Sequence, residues 1–273
     1  MTTHATDPFA DWLALREPAD AAARAGDLVD RVRARPAADR PLVVHDLGSG
    51  TGSMARWLAP RLPGPQHWVL HDRDADLLDR ARAAPPRAAD GSPVRVETRR
   101  SDITRLTVDD LAGADLVTAS ALLDMLTAEE IDRIVAACAG AGRPALFTLS
   151  VVGRVRLDPP DPLDAEIAAA FDAHQRRTVD GRTLLGPDAA AATVAAFRRH
   201  RIAVTVRSSP WRLGTMHAAL TAEWFTGWYD AAVEQRPELA ARTAGYARRR
   251  LAQAAAGRLT VTVGHDDLLA GAD

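Results

Sequence analysis

The residues best suited to chemistry are Asp46-Leu47-Gly48-Ser49-Gly50-Thr51-Gly52. Glycines in such a run let the backbone approach a ligand closely, because no Cβ stands in the way. Acids follow in order. Asp46 stands just ahead of the first glycine, Asp72 follows the loop in the next repeat of the pattern, and Asp102 comes later still. A carboxylate in the place of Asp72 can accept both hydroxyls of a ribose; a plain helix cap is its other use. One in the place of Asp102 can accept the exocyclic amine of an adenine, or cap a loop. Arg73 could lie over an adenine ring or in solvent. A dinucleotide fingerprint would read G-x-G-x-x-G. Here its third glycine position is Ser53, and the glycines run G-x-G-x-G.

These groups need elements to hold them. Leu42-Val43-Val44 predicts a strand ending at Asp46, and Met54, Trp57, Leu58 and Leu62 predict a helix after the glycines. Trp68-Val69-Leu70 predicts a second strand ending at His71-Asp72, with Leu77, Leu78 and Ala81 opening the next helix. Val94 and Val96 mark a third strand, followed by Ser101-Asp102-Ile103, and Leu116-Val117-Thr118-Ala119 a fourth, closed by Ser120. Thr127 and Glu130 form a capping box for a helix bearing Ile131, Ile134, Val135 and Cys138. Further strands are expected at 145–151, 202–206 and 259–263. This alternation predicts an α/β, doubly wound, mostly parallel sheet with helices on both faces. Ligands of such sheets bind at the carboxyl ends of the strands.

Three parts are expected: an N-terminal helical segment or lid (1–40), a cofactor-binding half of the core (41–152), and a second half with helical substrate-cap insertions (153–273). In the first, Ala21, Ala25, Leu28 and Val32 share a face of one helix that Pro18 opens and Pro36 ends. Asp20 with Arg24, and Asp27 with Arg31, read as solvated i,i+4 pairs, although Asp20 and Arg24 could also close over a cofactor. The cap falls in 160–185 and 215–256, where Trp224, Phe225, Trp228 and Tyr229 cluster.

Composition narrows the chemistry. All 34 basic side chains among the 273 residues are Arg, since the chain has no Lys, and it has no Asn. Lys is needed for Schiff-base chemistry and for a Walker-type phosphate loop. A formal charge of −2 argues against a dedicated nucleic-acid binder. Cys138, the only cysteine, allows no intrachain disulfide and no cysteine-based metal cluster. No apolar run nears the ~18 residues that span a membrane, and Met1 to Asp11 has no secretory core. A cytoplasmic location, with no membrane or nucleic-acid partner, is the expectation.

The motifs together resemble the class I S-adenosylmethionine-dependent methyltransferases, well over about 41–151 and loosely over 187–264. His45 to Gly52 looks like that family's first motif, and Asp72 like its ribose-binding acid. Ser101-Asp102-Ile103 looks like its adenine-contacting segment, and Asp115 to Ser120 like its fourth-strand motif. The resemblance implies a Rossmann-like sheet of seven strands with one antiparallel strand near 259–263. It implies S-adenosyl-L-methionine as cofactor, with Asp46, Gly48, Ser49, Gly50, Gly52, Asp72, Arg73, Asp102, Ile103 and Ser120 as its binding residues. The cofactor carries no phosphate, so a loop without Lys suits it.

On the acceptor side, His174 is a candidate base or orienting group, or a structural histidine of a cap helix. Asp124 is a candidate base or part of a helix start. Trp211 reads as pocket wall or core, Arg176 as a possible partner of an acceptor carboxylate, and Arg248-Arg249-Arg250 as solvated. Asp158-Pro159-Pro160 follows the fifth strand rather than the fourth and lacks a following aromatic, so it is not the motif of amine methylation. The expected reaction is in-line methyl transfer to a small molecule, with a hydroxyl or carboxyl favoured and no metal required. An NAD(P)-dependent oxidoreductase and a non-catalytic binding relative are the other readings.

Overall fold

The computed structural model describes residues 7–33 and 40–272. Two helices come first, α1 (Pro8–Ala23) and α2 (Gly26–Arg33). Then follow β1 (Leu42–Leu47), α3 (Ser53–Leu58), β2 (Gln66–Asp72), α4 (Ala75–Ala83), β3 (Val94–Arg100), β4 (Leu116–Ser120) and α5 (Ala128–Ala141). The second half runs β5 (Ala145–Asp158), α6 (Asp164–Gln175), the small hairpin β6 (Thr178–Val179) and β7 (Arg182–Thr183), then α7 (Ala189–Arg199) and β8 (Val204–Ser208). It closes with β9 (Trp211–Leu213), α8 (Ala218–Gln235), α9 (Leu239–Ala255) and β10 (Thr260–Ala270).

The main sheet follows the order β3-β2-β1-β4-β5-β10-β8, with β9 added along the first residues of β10. Its strands run parallel except β10, which is antiparallel to β5, β8 and β9. The expected seven strands form the main path, and β9 makes an eighth. The chain leaves β1 for β2 on one side and returns to β4 on the other, so a crevice opens between the carboxyl ends of β1 and β4.

Each face of the sheet is sealed by an apolar layer. On one, Leu47, Val117, Ala119 and Phe147 pack with Ile131, Ile134, Cys138 and Phe197 from α5 and α7. On the other, Val44, Trp68, Leu70 and Leu146 pack with Leu28, Met54, Leu58 and Leu78 from α2, α3 and α4. The Thr127 capping box forms as expected: Thr127 Oγ1 accepts from Glu130 N at 3.2 Å, and Glu130 Oε2 accepts from Thr127 N at 2.9 Å. A third cluster lies among α6, β9, α8 and α9, where Ile167, Leu213, Phe225, Trp228 and Tyr246 meet. It stands on the parts of β5 and β10 that extend beyond the carboxyl ends of the other strands.

The structure corrects four expectations. Pro18 lies inside α1 rather than at a helix start. It sits on the exposed face, where water can solvate the Ala14 carbonyl that it leaves without an intrahelical donor. The break falls instead at Arg24, whose extended ψ of 136° ends α1. Asp20 and Arg24 are buried, 3% and 5% exposed, so they are not a solvated pair. Arg250 is likewise buried, held by both oxygens of Asp164 at 2.7 Å, while Arg249 stays exposed. Finally, β5 runs on past Val151 to Asp158, and β10 continues to Ala270. The expected helix stop at Pro36 lies outside the described residues.

Candidate active site

The residues expected at the glycine loop converge on the crevice between β1 and β4. Asp46 stands near the end of β1, opposite Thr118 in register, and its Oδ1 accepts a hydrogen bond from Thr118 Oγ1 at 2.7 Å. The carboxyl is 1% exposed and its Oδ2 has no partner among the described residues. Burial pushes its pKa up to about 7, against the pull of the Thr118 hydrogen bond and of Arg24.

The three glycines that follow have positive φ, at 62°, 53° and 82° for Gly48, Gly50 and Gly52. That region strains any residue with a Cβ. At Gly48 a Cβ would also stand 2.8 Å from Leu122 Cδ1, so the chain after β4 packs directly on the loop. The turn is held by Asp72 at the end of β2, whose Oδ2 accepts from Gly50 N at 2.8 Å and whose Oδ1 accepts from Asp74 N at 3.0 Å. Ser49 is buried, and its hydroxyl has no partner among the described residues.

Asp102 stands beyond β3, exposed, with its Oδ1 accepting from Thr104 N at 3.0 Å and Thr104 Oγ1 at 2.7 Å. These hydrogen bonds hold its carboxyl below the ordinary range. Ile103 beside it is buried, and Arg73 is exposed. Ser120 closes β4, where its Oγ accepts from Thr148 Oγ1 at 3.1 Å and from Arg24 Nη2 at 2.9 Å.

Arg24 is the group that sequence reasoning undervalues. Its Nη2 also donates to Ser53 Oγ at 3.3 Å, and its guanidinium lies 5.3 Å from the Trp57 ring centre. The rest of α1 lies over the loop. Leu13 Cδ1 comes within 3.3 Å of where a Gly50 Cβ would be, and Glu17 holds Arg56 of α3 through contacts of 2.7 and 2.6 Å. Arg16, Asp20 and Arg24 recur every fourth residue, a spacing that puts them on one face of α1. Asp20 accepts from Arg16 Nε at 2.9 Å and from Trp211 Nε1 at 3.0 Å, which makes Trp211 a buried packing partner of α1.

The acceptor-side candidates separate. His174 is buried on α6, with Nε2 facing Glu234 Oε2 at 3.3 Å and Nδ1 facing Arg177 Nη1 at 3.2 Å. Arg177 can only donate, so Nδ1 accepts and Nε2 carries the hydrogen given to Glu234. Arg176 is held by Asp188 at 2.6 and 2.9 Å. Asp124, on the turn just after β4, meets Gln175 Nε2 at a long 3.5 Å, and burial raises its pKa.

Among known proteins, residues 44–145 match the family model of the methyltransferase domain. Over that segment, about a third of the chain, the sequence is similar to a methyltransferase domain. The matched segment runs from β1 to the first residue of β5 and holds the whole glycine loop. A search of curated proteins finds no match. Solved structures that resemble the chain include an O-methyltransferase family protein from Burkholderia thailandensis, 18% identical, with 94% of this chain and 58% of that one covered and a TM-score of 0.46. The chain therefore spans little more than half the length of that relative. Another is a SAM-dependent methyltransferase from Geobacter sulfurreducens in complex with S-adenosyl-L-homocysteine, 14% identical, covering 95% and 97%, TM-score 0.43. A third is an S-adenosylmethionine-dependent methyltransferase from Mesorhizobium loti, 18% identical, covering 90% and 99%, TM-score 0.42.

Proposed function

We propose that this chain transfers a methyl group from S-adenosylmethionine to a hydroxyl or carboxylate oxygen of a small molecule. The observation that carries this is the loop of three positive-φ glycines, tied to Asp72 at the crevice of the sheet. A loop free of side chains there suits a flat nucleoside and a thioether, and orphaned polar atoms on Asp46 and Ser49 suit a ligand with charged ends. S-adenosylmethionine supplies an electrophilic methyl on a cationic sulfonium. Asp72 takes the ribose hydroxyls, and Asp102, Ile103 and Arg73 flank the adenine. Gly48, Ser49, Gly50 and Gly52 carry the loop against the cofactor, with Asp46 and Ser120 near its reacting end.

The protein's own contribution is placement. Holding donor and acceptor in line at ~3 Å contributes up to ~7–11 kcal/mol in favourable cases. Asp124 is the better placed base, since its carboxyl follows β4 and lacks a strong partner among the described residues. His174, with both ring nitrogens engaged, orients the cap rather than taking a proton. The cap and α1 crowd the carboxyl edge of the sheet, which favours a small acceptor over a polymer. No helix among the described residues is long and apolar enough to cross a membrane.

Release of S-adenosylhomocysteine should be measured across a panel of phenols, alcohols and carboxylic acids. Turnover with a member of the panel supports the reading. Turnover confined to protein or nucleic-acid substrates contradicts the acceptor class.

A further inference from the structure

A second set of polar groups, apart from the glycine loop, gathers around Arg16 of α1. Arg16 is the charge that acts on Asp124, on the turn after β4, and on His265 of β10. Burial raises the Asp124 carboxyl and lowers the His265 ring; Arg16 opposes the first shift and adds to the second. Its guanidinium lies 6.0 Å from the Trp12 ring centre and 5.2 Å from that of Trp211, whose indole is in turn 5.4 Å from the His265 ring. Asp20 holds Arg16 through Nε at 2.9 Å and Nη2 at 3.3 Å, which fixes the plane of the fork. Nη1 makes no hydrogen bond among the described residues, and the side chain keeps 15% exposure, so this donor is not sealed in. Two more polar atoms of the set have no partner among those residues. They are Nδ1 of the buried His265 and Oε1 of Gln175, the residue that meets Asp124 at 3.5 Å.

We propose that Arg16 reads a carboxylate on the methyl acceptor, so that the substrate is an aromatic hydroxy acid whose ring packs on Trp12 and whose hydroxyl faces Asp124. The inference rests on the methyltransferase reading and names its substrate class. A carboxylate needs a cation, and the chain has no Lys. Burial holds His265 down to about 3, so its ring stays uncharged near neutral pH. Arg16 is therefore the cation of this set. The two indoles beside it keep water away, which strengthens a charge-assisted hydrogen bond at Nη1. Asp20 also accepts from Trp211 Nε1 at 3.0 Å, so it divides its charge and orients the guanidinium. Arg24, eight residues further on, bonds Ser120 at the end of β4. Arg16 thus stands about 12 Å from that end along the helix. A span of that size leaves room for a ring between the reacting oxygen and the acid, and Trp12 offers the ring a flat apolar wall.

The test is calorimetry on the full chain saturated with S-adenosylhomocysteine, with 4-hydroxycinnamate, its methyl ester and 4-hydroxyphenethylamine as probes. The acid should bind at least about 10-fold tighter than the ester, and the amine should bind weakest. Arg16→Gln, which keeps a donor for Asp20, should weaken the acid by about 10- to 100-fold and the ester by less than about 3-fold. Arg16→Lys keeps the charge without the fork, so its affinity for the acid should fall between wild type and Arg16→Gln. Retained binding of the ester and of S-adenosylhomocysteine also reports that the variants are folded. Four results overturn the assignment and leave the methyltransferase reading standing. They are equal wild-type affinity for acid and ester, tighter binding of the amine, no binding of any probe at millimolar concentration, or an Arg16→Gln variant that spares the acid or weakens acid and ester alike. Failure of the wild-type chain to bind S-adenosylhomocysteine overturns both.

Discussion

Asp46 is a carboxyl that folding alone would not choose. Its pKa in the folded chain is about 7, against an ordinary 3.8, because burial penalises the ion. The folded state therefore holds a proton more tightly than the unfolded state does. Its contribution worsens as pH rises from about 4 to about 7, and the loss persists above that, on the order of 4 kcal/mol. Asp46→Asn removes this penalty while keeping an acceptor for Thr118. Urea denaturation should show the variant gaining stability over wild type at pH 8 and much less at pH 4, with cofactor affinity falling. An equal gain at both pH values would mean that Asp46 is ionised throughout. The glycines make a second residue-scale case. Gly48 has a φ of 62°, and a Cβ there would stand 2.8 Å from Leu122 Cδ1. Gly48→Ala should therefore cost at least ~1 to ~2 kcal/mol and reduce cofactor binding. A melt and a binding isotherm on the same sample check this.

At the scale of elements, three segments meet on one buried carboxylate. Asp267 of β10 accepts from Leu149 N at 2.7 Å, Ser209 Oγ at 2.5 Å and Ala25 N at 2.8 Å. It joins β5, the turn before β9 and the junction of α1 with α2. Asp267→Ala should cost about 3 kcal/mol or more, since it orphans buried donors on all three. Chemical denaturation measures it, and a loss below about 1 kcal/mol would show that water replaces the carboxylate. Helices α6 and α9 are tied to the loop after β5 in a similar way by Arg250, Asp164 and Tyr246, where Arg250 Nη1 also donates to Pro159 O at 2.6 Å. Arg250→Met leaves Asp164 without its cation and should lower stability by about 3–5 kcal/mol, seen as an earlier thermal transition. These ties explain what is not legible in the sequence. The run Gly264-His265-Asp266-Asp267 hides the second half of β10, because polar residues break the apolar alternation that marks a strand. Asp267 and Arg250 are buried for partners far away in the chain, and no local spacing reveals them. Pro18 misleads for the opposite reason: a local helix-start signal is overridden by the packing of α1 across the sheet. The strands β1, β2 and β4 are legible because each pairs an apolar run with an acid or serine at its carboxyl end, and β3 because Val94 and Val96 alternate with charged residues.

For the whole molecule, the glycine loop, Asp72 and Ser120 are readable in the sequence because their spacing follows the strand-helix alternation itself. Arg24 is not, since its value arises only when the first two helices fold over strands far along the chain. The same fold buries His45, His71 and His265. Burial holds the first two down to about 4 and His265 to about 3, below the ordinary 6.5. The folded state therefore resists protonating them. Stability should fall as pH drops through about 6.5 toward about 4, which opposes and outweighs the trend of Asp46. Acid unfolding followed by circular dichroism checks the direction, and a chain more stable at pH 4.5 than at pH 7 would contradict it.

The most direct measurement is calorimetric titration of the wild-type chain with S-adenosylhomocysteine and, separately, with NADH. Saturable 1:1 binding of S-adenosylhomocysteine at micromolar concentration, lost in Gly50→Arg, with no heat from NADH, is the predicted result. No binding of S-adenosylhomocysteine at millimolar concentration, or binding of NADH in its place, would contradict it.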